Sequence, residues 1–514
     1  MSIQLQTARS VAENPTQEEL RGWVAQMPNA QRTEYGNFSV TTRVTARSAG
    51  STFVVTDDPG FSSKQTMSTA DYGALAAAQD SHIAGQDMIL ARGFIGPEGS
   101  PLRVPTALYI ERSVANIPAM QQQLYFPPDA SWDQDQAFTV IYTPSLEASG
   151  YPDGRVIAID LDNWVTRVSG ADYFGESKMG SLRMWNEWVY RRGGLAMHSG
   201  AKVIPTSDGD RVALIVGLSG TGKTTTTFTR QNESLPVQDD FLALASGGAV
   251  HSTEDGCFAK TFSLDPEHEP IIHRALTSPG SWLENVSVDA EGRVDFHDAS
   301  YTKNGRGTFE LADIPHFDPR KLGKADFLLI LNRNGDIIPA VARMTSIEQA
   351  VAYFMLGETR GTSAGGKAEA GKSLRIPGTN PFFLQHDYMQ GNRLGELIHS
   401  MDYDFGVYVM NTGYIGGPDD PEGGKEIEIE HSSAIVKAIA ENTIRWTPDP
   451  DFGYWIAEEV GGIDDPELLN PRLRYATQGR EEEYTARVSQ LKRERAEYLA
   501  GHEGLDAAVR QALI

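Results

Sequence analysis

At 514 residues the chain is too long for one simple core, and two large domains or lobes are expected. With 40% hydrophobic and 22% charged residues the composition is that of an ordinary soluble globular protein. A formal charge of −24 argues against a nucleic-acid partner, which needs a basic footprint, and the scarcity of lysine beside arginine fits either a compositional bias or a high-salt cytoplasm. One cysteine, Cys257, leaves no internal disulfide. Met1–Gln26 lacks the basic and apolar regions of a signal peptide, and no apolar run is long enough for a membrane span, so a cytoplasmic protein without a membrane partner is expected.

In chain order, residues 1–37 read as a polar helical lead-in, followed by strands at Phe38–Val44, Ser51–Thr56, Phe138–Tyr142 and Arg155–Leu161. Ser181–Tyr190 reads as a helix whose Trp185, Trp188 and Tyr190 pack a core. A second unit begins near Ala201: Val212–Val216 is a strand, Thr224 opens a helix, and Leu235–Val237, Phe241–Ala245 and Phe327–Leu331 are buried strands. Gly361–Lys372 and Gly413–Lys425 are glycine-rich and are expected to be mobile loops, the first a lid. The tail from Arg480 to Ile514 has apolar residues at helical spacing and is expected to form an amphipathic helix. The expected division is an N-terminal lobe over 1–200 and a C-terminal nucleotide-binding lobe over 201–514, helical from about 476.

Chemistry enters with Gly217-Leu218-Ser219-Gly220-Thr221-Gly222-Lys223-Thr224, a complete phosphate-binding loop between a strand and a helix. Such a turn aims several backbone N–H groups at one point, and its glycines let the phosphates approach. Lys223 is placed to reach the terminal phosphates and the Thr224 hydroxyl to bind Mg²⁺. A metal beside phosphates wants a carboxylate at the end of a neighbouring strand, and Asp239-Asp240 interrupt an otherwise apolar stretch at such a place. The expectation is a nucleotide-dependent phosphoryl-transfer enzyme.

The chain resembles the ATP-dependent phosphoenolpyruvate carboxykinases. The family's GLSGTGKTT is similar to Gly217–Thr225, and its EGGCYAKT to Glu254–Thr261. MHCSAN resembles Met197–Lys202, YGGEMKKG resembles Tyr173–Gly180, GTERG resembles Gly357–Gly361, ENTR resembles Lys303–Arg306, and LNPR is matched by Leu469–Arg472. The matches keep their order from about residue 40 to the tail. The resemblance implies an α/β fold of two lobes with the active site between them, and reversible, ATP-dependent decarboxylation and phosphorylation of oxaloacetate. It implies ATP with Mg²⁺, Mn²⁺ at a second site, and a small anionic substrate. Carried over by residue, Gly217, Ser219, Gly220, Thr221, Gly222, Lys223, Thr224 and Thr225 hold the phosphates, and Lys260, Ile427 and Ser432 serve the nucleotide. Thr224, His198 and Asp240 are metal ligands, with Asp239 in support. Arg306 stabilises the transferring phosphate, and Arg47, Tyr173 and Lys178 hold the carboxylate substrate.

The pattern breaks in places. Met179 stands where the family has a lysine that ligates the second metal as a neutral amine, and a thioether suits a hard ion poorly, so that site is expected to be weakened. By the resemblance, Glu426 occupies the approximate position of an arginine that packs on adenine, and Ser432 that of a neighbouring threonine. Phe241 replaces an acid after the aspartate pair, and the charges that follow Arg47 in the family are missing. The working reading is carboxykinase chemistry. Its rivals are a kinase for another small-molecule or protein acceptor, and a nucleotide-binding regulator without turnover.

Overall fold

The computed structural model describes residues 7–58, 60–218, 220–360 and 373–513. The expected lid, Gly361–Lys372, and Ser219 of the phosphate loop lie outside them. The chain forms two compact units, each built from several stretches: residues 1–192, 252–315 and 382–386 make the first, and residues 193–251, 316–381 and 387–514 the second. The expected division at residue 200 thus differs from the fold, because 252–315 returns to the first unit and its strands pair there.

The first unit holds an eight-stranded mixed sheet, in the order Ser10–Glu13, Asp87–Ile95, Val104–Glu111, Phe138–Thr143, Val165–Ser169, Val156–Asp160, Thr52–Val55 and Thr66–Met67. Helix Phe174–Arg191 packs on this sheet and is buried nearly all round. Gly180 permits the approach, since a Cβ there would meet the Val140 methyls at 3.0 and 3.1 Å. Trp185 is fully buried, with its indole N–H on the Leu102 carbonyl at 3.1 Å, as the core reading expects. A second sheet runs Gly256–Lys260, Arg306–Glu310, Trp282–Glu284, Phe38–Val40 and Ala30–Arg32. The lead-in is not simply helical: strand Ser10–Glu13 precedes helix Gln17–Val24, because the first pairs in parallel with Asp87–Leu90. The strand expected over Phe38–Val44 stops at Val40, and the Arg43 and Val44 N–H groups go to the Asp172 carboxylate at 2.9 and 3.0 Å.

The second unit is built on another eight-stranded sheet, with Gly209–Val216, Phe327–Asn332 and Gly406–Asn411 adjacent and parallel in it. These strands are apolar on both faces, as strands covered on both sides must be. Leu214, Val216, Leu328 and Ile330 pack toward helix Ile347–Leu356, while Ala213, Ile215, Leu329 and Leu331 pack toward helix Ile429–Ala440. The tail is two helices, Glu481–Ala500 and Ala507–Gln511, not one, with Gly501 at the break. Gly413–Lys425, expected to be mobile, is tied down. Tyr414–Ile415 pairs with Lys425–Glu426, and the buried Asp420 carboxylate takes two hydrogen bonds of 2.9 Å from Arg474.

Candidate functional site

In the second unit the three parallel strands run the same way, so their carboxyl ends share one edge of the sheet. The phosphate loop follows Gly209–Val216, Arg333 follows Phe327–Asn332, and Thr412 follows Gly406–Asn411. Gly220 and Gly222 hold φ values of 86° and 88°, the left-handed region that a side chain resists. Among the described residues a Cβ at Gly222 would meet nothing nearer than the Thr226 hydroxyl at 4.0 Å. The Thr221 carbonyl is anchored by the Thr412 hydroxyl at 2.7 Å, and the Gly220 carbonyl by the Arg333 guanidinium at 3.3 Å.

Lys223 begins the short helix Lys223–Phe228, and Thr224 and Thr225 follow it half-buried. The Lys223 ammonium lies 3.0 Å from an Asp240 oxygen. The same oxygen lies 2.9 Å from His198 Nε2, while His198 Nδ1 is 2.9 Å from the Thr379 carbonyl. Burial first, and then the Lys223 charge, hold the imidazole below its ordinary pKa. With Nδ1–H donating to the carbonyl, the neutral ring turns a lone pair toward the carboxylate. Two acceptors facing each other fit a cation between them, and a histidine oriented by its other nitrogen is the usual form of a metal ligand. Asp239 is buried beside this group. Among the described residues no group of three or more histidine, cysteine or carboxylate side chains is arranged to hold a metal.

Beside the loop lies a cavity of about 250 Å³, lined by Thr221, Gly222, Thr225, Ile427, Ser432 and Glu426 among others. The expected nucleotide residues Ile427 and Ser432 are therefore in one cavity with the phosphate loop. Beneath the loop helix, the fully buried Lys202 donates to the Thr226 carbonyl at 2.9 Å, to the Thr229 carbonyl, and to Gln231 Oε1 at 2.7 Å. It closes the carboxyl end of that helix, among the described residues with no carboxylate beside it, and burial pushes its pKa down to about 7.

The first unit gathers a second set. Strand register puts Lys260, Arg306 and Glu284 side by side across three strands, hence on one face. The Arg306 guanidinium is held by Asn304 Oδ1 at 2.9 and 3.2 Å and lies over the Phe258 ring at 5.2 Å. Asn304 also donates to the Thr45 carbonyl at 2.6 Å and to the Tyr173 hydroxyl at 3.3 Å. Lys260 is held below its ordinary pKa by desolvation and by the Arg306 charge. Arg47 is exposed. Desolvation and then Arg183 lower it, Glu176 and Tyr173 work the other way, and its guanidinium lies 4.9 Å from the Phe382 ring centre. Lys178 is 1% exposed, with its ammonium 3.0 Å from a Glu254 oxygen.

Sequence reasoning passed over several residues here. Glu284 is fully buried and accepts the Phe174 N–H at 2.9 Å, and among the described residues its Oε2 has no hydrogen-bond partner; burial pushes its pKa up to about 8. The carboxylate of Glu176 takes Arg183 at 3.1 Å and the Ser48 N–H at 2.6 Å. An acid ending the apolar run Trp282-Leu283 was the available signal for Glu284; nothing local marked the other pair. Met179 is buried at 5% exposure in the same helix as Lys178.

Comparison with known proteins bears on these arrangements. The profile of the phosphoenolpyruvate carboxykinase family matches residues 9–466. The chain is 34% identical over 403 residues to the phosphoenolpyruvate carboxykinase (ATP) of Aeropyrum pernix, covering 76% of each chain. It is 30% identical over 445 residues to phosphoenolpyruvate carboxykinase (ATP) 1 of Moorella thermoacetica, covering 84% of this chain and 82% of the relative. It is 30% identical over 495 residues to the Rhizobium rhizogenes enzyme of that name, covering 92% and 89%. The match spans both units, and the chain belongs to the ATP-dependent phosphoenolpyruvate carboxykinase family.

Proposed function

We propose that this protein decarboxylates oxaloacetate and transfers the γ-phosphoryl group of ATP to the resulting enolate, giving phosphoenolpyruvate, ADP and CO₂. The C–C bond to the leaving carboxylate breaks, its electron pair becomes the enolate, and the enolate oxygen takes the phosphoryl group. The observation that carries the reading is the Asp240 carboxylate shared between Lys223 and His198 beside the phosphate loop. Bound phosphates would draw Lys223 from Asp240, freeing that carboxylate and the oriented His198 for a metal. A divalent ion on His198 and Asp240, and Mg²⁺ on Thr224, would neutralise charge on the reacting oxygens. Asn304 fixes Arg306 so that its fork is held ready for an anion without reorganisation. Arg47 and Arg306 give the first unit cations suited to a dicarboxylate, and Tyr173 is held near them through Asn304.

Two substitutions support a second reading, a kinase for another acceptor. Met179 offers sulfur where the family has an amine, and Glu426 replaces the expected cation of the base pocket. The test is a turnover screen with ATP and with GTP, offering oxaloacetate beside a panel of hydroxylated metabolites. Phosphoenolpyruvate formation supports the first reading. Transfer only to another acceptor supports the second.

A further inference from the structure

The cavity beside the phosphate loop has an unusual charge balance. Glu426 and Glu428 both line it. A nucleotide triphosphate entering beside two carboxylates needs a compensating positive charge. Lys223 already shares Asp240 with His198. Arg333 also lines this cavity.

Arg333 has the placement for that task. It stands directly beyond the carboxyl end of strand Phe327–Asn332, whose parallel neighbour Gly209–Val216 leads into the loop. Its backbone N–H is fixed by the Thr359 hydroxyl at 3.3 Å, and its guanidinium donates to the Gly220 carbonyl at 3.3 Å. Most arginines of this chain are paired with carboxylates; among the described residues no ion pair engages Arg333. Its charge is therefore spent on a neutral carbonyl of the loop itself. The Tyr414 phenol donates to Glu426, and Arg333 is near enough for its charge to act on that phenol. A guanidinium on a loop carbonyl can turn to an anion on the same loop with little movement, and its fork matches phosphate oxygens.

We propose that Arg333 is a nucleotide-binding residue that grips the phosphate chain, supplying from the end of the neighbouring strand a cation to a cavity that Glu426 and Glu428 make acidic. The inference rests on the nucleotide reading above, but not on the identity of the phosphoryl acceptor. Contact with phosphates, not with the base, follows from the bond to Gly220.

The experiment is calorimetric titration of the full chain with ATP and, separately, with inorganic tripolyphosphate, without acceptor. Arg333→Ala should weaken both ligands about tenfold, or ~1.4 kcal/mol. Arg333→Gln, which keeps the shape and loses the charge, should lose as much, and Arg333→Lys less. Equal affinities in native protein and both neutral variants would overturn the proposal. A loss confined to ATP would overturn it too, by assigning Arg333 to the base. Failure of the native chain to bind ATP at all would instead remove the nucleotide reading, and this inference with it.

Discussion

Asp240→Asn should separate two effects that a merely structural carboxylate would not separate. One Asp240 oxygen faces Lys223 at 3.0 Å and His198 at 2.9 Å, and the side chain is 16% exposed. Before nucleotide can use Lys223, its phosphates must compete with this carboxylate and approach its negative charge. Breaking a buried pair costs on the order of 3–5 kcal/mol, so the nucleotide-free variant should melt earlier. For the same reason, metal-free ATP should bind the variant more tightly, by about 1–3 kcal/mol, or roughly ten- to a hundredfold. Turnover should move the opposite way, falling at least ~10²-fold, because charge neutralisation at a developing transition state is worth several kcal/mol. Titration with ATP in a chelator, beside steady-state rates in Mg²⁺ and Mn²⁺, reads both arms. Unchanged or weaker metal-free binding, with normal rates and metal dependence, would make Asp240 a scaffold residue.

Glu284 keeps its proton in the fold to about pH 8, against an ordinary carboxyl near 4.5. The native state therefore holds a proton that the unfolded chain releases, and this group's contribution to stability falls as pH rises from about 4.5 to 8. Glu284→Gln mimics the protonated form, so denaturant midpoints of the variant relative to native should climb across that window and then level off. The ceiling is roughly 5 kcal/mol, and a pH-independent difference would contradict the assignment. Met179→Lys restores the family's amine and should raise Mn²⁺-dependent formation of phosphoenolpyruvate from oxaloacetate. Native activity already at the level of an ordinary carboxykinase would show that Met179 is no handicap.

The parts legible in the sequence were those fixed by local spacing. Phe327–Leu331 and Val212–Val216 are short apolar runs between turn residues, and both are central strands. The phosphate loop was legible because Gly220 and Gly222 hold left-handed φ values and a Cβ at Gly217 would collide with the Thr221 side chain. Other features depended on residues far apart in the chain. The Gly413–Lys425 segment looked loose because its anchor, Arg474, lies 54 residues beyond Asp420. Lys178 read as a ligand for substrate, and its carboxylate partner Glu254 came into view only when 252–315 joined the first unit. Lys202 reads as one polar residue in a strand, yet it is buried because the helix carbonyls at Thr226 and Thr229 need a donor there. The expected tail helix followed apolar periodicity across Gly501, where the chain breaks.

The measurement closest to the central claim follows the γ-phosphate of labelled ATP in the presence of oxaloacetate and Mg²⁺ with Mn²⁺, in the native chain and in Lys223→Ala. Labelled phosphoenolpyruvate is expected from the native protein and none from the variant, with the variant's fold intact by circular dichroism. Equal transfer by both proteins would contradict it.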